Sequence, residues 1–276
     1  NEHPLTKYTH VKHFQRGGSG ELFTAINRET GEKVAIKVIS LIAPSQKTAY
    51  VNETTILTKM KHSHFSTQLI ENFIFDNRGY IVMELLDQDL FSRSDEFSDI
   101  EEIRDIFLQL CLALNELHRK NIAHLDLKPE NILVDSEDNI KLCDFGTSFQ
   151  WKGDNCTHDK LVGSDFYLAP EVLAGRCGYN AKHADIWSLG IILCLLITGN
   201  FPYAGNSRDA CMKKYFAAEV CLDELVSVLP DDKDCQDLLS KILCLDATKR
   251  PSLDDILLHP WLCSDETEWS LQGENF

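Results

Sequence analysis

The sequence predicts an α+β protein of two lobes, a small antiparallel-sheet lobe carrying one helix followed by a larger, mainly helical lobe. Two changes of periodicity predict it. Near the start, apolar residues alternate as on half-buried strands in YTHVKHF, ELFTAIN and KVAIKVIS, with Gly17, Gly18, Gly20, Thr30 and Gly31 at the turns. From Asp99 the spacing becomes three and four, in IEEIRDIFLQLCLALNELH, which winds an amphipathic helix.

Between these regions a helix is expected over about residues 46–61. Two further strands, LIENFIF and YIVMELL, flank the turn DNRG, and the first lobe closes near Leu85. Short strands return in NILVD and IKLCDF, around Asp138 and Asn139. Helices then run to the end, punctuated by Pro170, Pro202, Pro230, Pro251 and Pro260. The expected division is a first lobe over about 1–83, a crossing at 84–87, a second lobe over 88–262 and a tail at 263–276, with a cleft between the lobes. The longest apolar run, IWSLGIILCLLIT, is too short to span a bilayer and has Asp185 at its head, so it reads as a buried helix.

With 276 residues, 43% of them hydrophobic, the chain can bury a substantial core. A net charge of −16 argues against nucleic acid or an anionic membrane as a partner and favours basic partners. The 10 cysteines form no CxxC pair and no apolar signal stretch opens the chain, so reduced thiols in cytoplasm or nucleus are expected, most of them filling the core. A start at Asn1 without Met is expected of a domain cut from a longer protein.

Chemistry concentrates in three stretches: HLDLKPEN, which carries Asp126, Lys128 and Asn131; CDFG, from Cys143 to Gly146; and LAPE, ending at Glu171. Phosphoryl transfer asks mainly for positioning and for stabilisation of charge on the moving phosphoryl oxygens. Carboxylates, an amide, a lysine and a metal suffice.

On these residues the chain resembles a eukaryotic-type Ser/Thr protein kinase catalytic domain over about residues 8–262. The fold implied is the bilobal protein kinase fold. HPWL at residues 259–262, DIWSLGIILCLLITGNFPY and the leucine in HLD are most similar to the calcium/calmodulin-dependent group, in the death-associated and myosin light chain kinase branch. The tail SDETEWSLQGENF is acidic, which leaves calmodulin binding unsupported.

The resemblance implies roles residue by residue. Asp126 orients and deprotonates the acceptor hydroxyl, Lys128 neutralises the transferred group, and Ser164 stands beside Asp126 where the family has threonine. Asn131 and Asp144 hold magnesium, with Phe145 packed beneath. Lys37 pairs with Glu53, Glu171 with Arg250, and Asp185 anchors the loop of Asp126. ATP is expected under the loop Gln15 to Leu22, through Gly17, Gly18, Ser19 and Gly20, although Gln15 replaces the family's first glycine and Leu22 its valine. Glu84, Leu85 and Leu86 offer backbone groups to adenine, Met83 gates the pocket, and Ala35, Leu133 and Cys143 complete the nucleotide set.

Plainer readings remain open for single residues. The glycines fit any tight hairpin, Lys37 a solvated strand edge, Glu53 a surface acid, Asp185 a helix N-cap and Cys143 a core thiol rather than a target for covalent ligands. For the whole set, a pseudokinase scaffold is disfavoured because Lys37, Glu53, Asp126, Asn131 and Asp144 are all present. A small-molecule kinase of the aminoglycoside type is disfavoured by LKPE and the APE segment.

The partners implied are ATP, Mg2+ and a protein substrate of basic character, with no nucleic acid, no membrane and a monomeric catalytic domain. Asp89 and Glu130 match positions that face a basic residue upstream of the acceptor. Leu195 stands where a glutamate would read a second arginine, and Asp165 replaces a proline at the floor for the residue after the acceptor. Leu125 replaces the arginine that gathers a phosphorylated activation loop, so activity without phosphorylation of Ser148, Thr157 or Ser164 is expected.

Overall fold

The computed structural model describes residues 4–17, 20–86, 88–97, 99–175, 178–202, 213 and 232–263. Gly18, Ser19, residue 87 of the expected crossing, Pro230 and the tail beyond 263 lie outside the described residues.

The chain forms two compact units, 1–90 with 130–148, and 91–129 with 149–276. The first is built on β1 (Tyr8–Gly17), β2 (Gly20–Asn27), β3 (Lys33–Ser40), β4 (Leu69–Phe75) and β5 (Arg78–Glu84), antiparallel in the order β1-β2-β3-β5-β4. β3 is therefore central, and alternation on it gives two buried faces. Val34 and Ile36 join Tyr8, Ala25, Tyr80 and Val82 in one core. Ala35 and Lys37 point to the other face, so Lys37 is not on a strand edge.

The turn between β4 and β5 is tighter than DNRG. Asp76 and Asn77 alone form it, with φ of 48° and 56°, while Arg78 and Gly79 belong to β5. Positive φ at both central residues matches the twist of a two-residue hairpin. Helix α1 (Pro44–Lys59) starts on proline and buries Tyr50, Glu53, Ile56 and Leu57. A carboxylate thus lies in the buried stripe.

Residues 130–148 group with this unit rather than with the helices that flank them in sequence. β6 (Gln88–Asp89), β8 (Ile132–Val134) and β9 (Ile140–Leu142) form one small sheet. Leu142 donates its N–H to Phe65 at 2.8 Å and accepts from Thr67 at 3.1 Å, which stitches β9 to the segment before β4.

In the second unit α2 (Ile100–Arg119) starts at a capping box between Asp99 and Glu102. β7 (Ile122–Ala123) follows and pairs with β10 (Phe149–Gln150). Helix α3 (Ala181–Thr198), N-capped by Asn180 and closed by Gly199 at φ 68°, is at 18 residues long and apolar enough by composition to cross a membrane, which its shorter apolar run does not suggest, but 72% of it is buried, as a core helix is. α4 (Lys233–Ile242) packs on α3, and α5 (Leu253–Leu257) packs on α2. Seven described cysteines are free thiols, but only Cys111, Cys194 and Cys235 are buried, so core filling is not their majority use.

Gly190 allows α4 to seat on α3, because a Cβ there would lie 2.4 Å from Ile242 Cγ2 and 2.8 Å from Leu243 Cδ2. Both neighbours are fully packed. Gly190→Val is expected to cost about 2–3 kcal/mol in urea unfolding, as overpacked cores do. An unchanged midpoint would contradict this packing.

Candidate active site

The first unit assembles three of the expected residues around one ammonium. β3 carries Lys37 toward α1, and its Nζ donates to both oxygens of Glu53, at 2.9 and 2.7 Å, and to Oδ1 of Asp144 at 2.8 Å. Glu53 is 1% exposed and Lys37 6%, so neither is a surface group. Burial disfavours charge on both, but the two carboxylates hold Lys37 above its ordinary range. One ammonium shared by two acids cannot offset the desolvation of Glu53, whose carboxyl is pushed up to about 7.

Asp144 follows β9 with φ 61°, a left-handed conformation that a non-glycine residue adopts at a cost. Its predecessor Cys143 donates its backbone N–H to the carbonyl of Asn131 at 3.0 Å, which fixes Asn131 next to the Asp144 strand end. Desolvation of the half-buried Cys143 thiol, with the Asp144 carboxylate beside it, pushes it far above its usual range, which makes it a poor nucleophile. Ala35 faces Met83 across β3 and β5, Leu22 faces Lys37, Gln15 faces Leu22, and Gly17 faces Gly20. Leu133 pairs with Asp89 and Lys141. Leu85 and Leu86 follow β5 half-buried.

Gly20 has a steric reason of its own. At φ 142° a Cβ would sit 2.6 Å from the Val38 carbonyl oxygen, so β2 could not approach β3. A Cβ on Gly17 would meet nothing within 4 Å.

The second unit assembles the other group. Ser164 donates its hydroxyl to Asp126 Oδ1 at 2.8 Å, Lys128 Nζ donates to Ser164 Oγ at 2.8 Å, and the same ammonium lies 3.5 Å from Asp126 Oδ2. This triangle leaves Asp126 ordered and beside a positive charge. The loop bearing it hangs on Asp185, which is completely buried and accepts from the backbone N–H of His124 and of Leu125, each at 2.8 Å. Leu125 is thereby held at φ 62°. Asp185 is not the N-cap of α3, a place taken by Asn180. Arg250 grips Glu171 with two bonds of 2.7 and 2.8 Å, donates to the carbonyls of Cys244 and His183, and stacks 4.8 Å from the Trp187 ring.

A family model of the protein kinase domain matches residues 8–262. The chain belongs to the protein kinase domain family. Among curated proteins it is 32% identical over 95% of its length to a probable serine/threonine-protein kinase, CCRP1, of Zea mays, covering 42% of that protein. It is 32% identical over 93% of its length to calcium-dependent protein kinase 4 of Plasmodium falciparum, covering 49% of it. With serine/threonine-protein kinase D2 of Rattus norvegicus the identity is 34% over 91% of this chain and 29% of the relative. The kinase domain thus spans less than half the length of these relatives.

Several supporting residues of this kinase domain carry no motif. His118 Nε2 lies 2.9 Å from Asp185 Oδ2, adding a contact to the anchor. Gly163, at φ 107°, lets the activation segment reach the Leu125 carbonyl, which a Cβ would meet at 2.5 Å. The Glu84 carboxylate accepts from Gln68 N–H at 2.7 Å and from Lys141 Nζ at 2.7 and 2.8 Å, while its own N–H donates to the Gln68 carbonyl. The start of the expected crossing is therefore clamped from two sides. None of these contacts has a signature in local spacing, because each joins residues distant in the chain.

Proposed function

We propose that this kinase domain transfers the γ-phosphoryl group of ATP to Ser and Thr hydroxyls of proteins carrying basic residues upstream of the acceptor. The observation that carries the reading is the Asp126–Ser164–Lys128 triangle, a carboxylate ready to take a hydroxyl proton with a cation beside it. Asp126 orients the acceptor, and Lys128 offsets charge on the transferred group.

The residues present fit magnesium and nucleotide. Asp144 and Asn131 are hard oxygen donors on adjoining strand ends, and no cluster of three His, Cys, Asp or Glu suited to a metal occurs among the described residues. That suits a cation held by a carboxylate and an amide and completed by phosphates. When bound, it would offset charge on the phosphate oxygens. Lys37, kept charged and in place by Glu53, would hold nucleotide phosphate on the protein side.

A substrate preference rests on acids. Glu130 is exposed and Asp89 half-exposed, and both belong to the β6–β8 region of the first unit. The whole chain's charge of −16 adds long-range attraction for a basic segment, weakened by salt. Asp165 disfavours a large apolar residue just after the acceptor, and Leu195 removes any reason to prefer two adjacent arginines. The calcium/calmodulin-dependent branch is the finer family placement we favour, on the HPWL and α3 sequences. The free thiols support a reducing compartment, cytoplasm or nucleus.

Leu125 is 6% exposed and cannot bind phosphate. The activation segment has other moorings. Thr157 and His158 pair with Tyr179 and Asn180, the Tyr179 hydroxyl donates to the Lys160 carbonyl at 2.9 Å, and Lys182 lies over the Trp151 ring. These contacts support activity without phosphorylation of that segment.

Phosphatase-treated wild-type protein is therefore expected to phosphorylate a basic Ser/Thr peptide in a magnesium-dependent assay. Asp126→Asn should lower the rate by about 10²–10⁴ with folding and ATP binding nearly intact. An inert wild type, or a mutant as fast as wild type, would overturn the assignment.

A positional peptide library should select Arg or Lys about three residues before the acceptor, and Asp89→Ala with Glu130→Ala should erase the selection. Acidic or proline-directed selection would sink this preference, as would a basic one indifferent to the double substitution.

A further inference from the structure

Asn52, next to Glu53 on α1, turns its side-chain amide toward the backbone that follows Asp144. Its Nδ2 lies 2.6 Å from the carbonyl oxygen of Ser148, 3.0 Å from that of Phe145 and 3.3 Å from that of Gly146. An amide nitrogen has two protons to donate, so the two nearer carbonyls take the direct bonds and the third shares one. The turn at Gly146 lies close to the helix, since a Cβ there would stand at ordinary contact distance, 3.6 Å, from Ala49 Cβ, Glu53 Oε2 and Asp144 Oδ1.

The turn needs holding. Asp144 sits at φ 61°, a conformation that persists only where the surroundings dictate it. On one side its carboxylate is drawn to Lys37, and on the other the Cys143 N–H is bound to Asn131. The chain after it is tied through Asn52 to the same helix that carries Glu53.

We propose that Asn52 is a positioning residue for the metal–nucleotide site, fixing the backbone of Phe145 to Ser148 on α1 so that Asp144 presents its carboxylate in one orientation. This rests on Asp144 being the metal-holding carboxylate of the proposed kinase reaction. Asn52 itself touches neither metal nor phosphate. Without it the competent orientation is a smaller share of the population, and apparent affinity falls by that share.

The test uses Asn52→Ala, which removes the donor, and Asn52→Asp, which keeps the shape but sets a carboxylate against carbonyl oxygens. Titration calorimetry would follow ATP binding with and without Mg2+, alongside thermal melting and turnover. Both variants should need about tenfold more Mg2+ for half-maximal ATP binding, Asp the more, with turnover at a fixed, subsaturating Mg2+ concentration falling in parallel. Metal-free ATP binding should be unchanged and melting within about 2 °C of wild type. A folded variant with Mg2+ dependence within twofold of wild type would overturn the proposal, as would equal losses with and without metal. If Asn52→Ala does not fold, Asn52→Asp carries the comparison; if neither folds, the residue is structural and the proposal fails. A wild type that binds Mg2+–ATP but transfers no phosphate would sink the proposed activity while this binding comparison stayed readable.

Discussion

The first unit is organised around a single cation, the Lys37 ammonium, shared by Glu53 and Asp144 at 2.7–2.9 Å. Taking such charges from water costs several kcal/mol per ion, and only close, multiply bonded geometry offsets it. That geometry needs three segments in register: β3 at the middle of its sheet, α1 with a carboxylate in its buried stripe, and the strand end at Asp144. Moving any of them leaves a buried charge without a partner. An excess of acid over base also leaves the Glu53 carboxyl raised to about 7.

The second unit is organised around a buried acid. Asp185, at zero exposure, accepts two backbone N–H groups and faces His118. Hydrogen bonds satisfy a polar group that has been taken out of water. They also impose the left-handed backbone of Leu125, from which Asp126 follows. The segment around Thr157 and His158 is held by pairing, a tyrosine hydroxyl and ring contacts.

Much of this was legible in the sequence because the chemistry is packed into short runs. Asp126, Lys128 and Asn131 fall within eight residues, alternation locates β1 to β3, and the apolar runs about a turn locate β4 and β5. What local spacing could not supply was the order of strands. Lys37 taken alone reads as a solvated edge, the pattern with Glu53 reverses that, and the place of β3 between β2 and β5 explains it. Glu53 weakens the apolar stripe of α1, and only the sheet beneath reveals why it is buried. The two-residue turn at Asp76 and Asn77 was read too long because Arg78 and Gly79 also suit turns. The small sheet joining 88–89 with 132–142 drew residues 130–148 away from the helices around them in sequence, and Asn52 shows its purpose only against distant carbonyls.

The Lys37 arrangement makes a directional claim about acid. Below about pH 7 Glu53 takes a proton and no longer fixes Lys37 as an anion, while Lys37 stays charged, so competence should fall as pH falls. The direct measurement is kcat/KM for ATP against pH, which reports the free enzyme, in wild type and in Glu53→Gln. The account predicts a single-proton loss of activity in wild type centred near pH 7 and a slow, flat profile in Glu53→Gln over the same range. A wild-type profile that is flat through this range, or the same acid limb in both proteins, would contradict it.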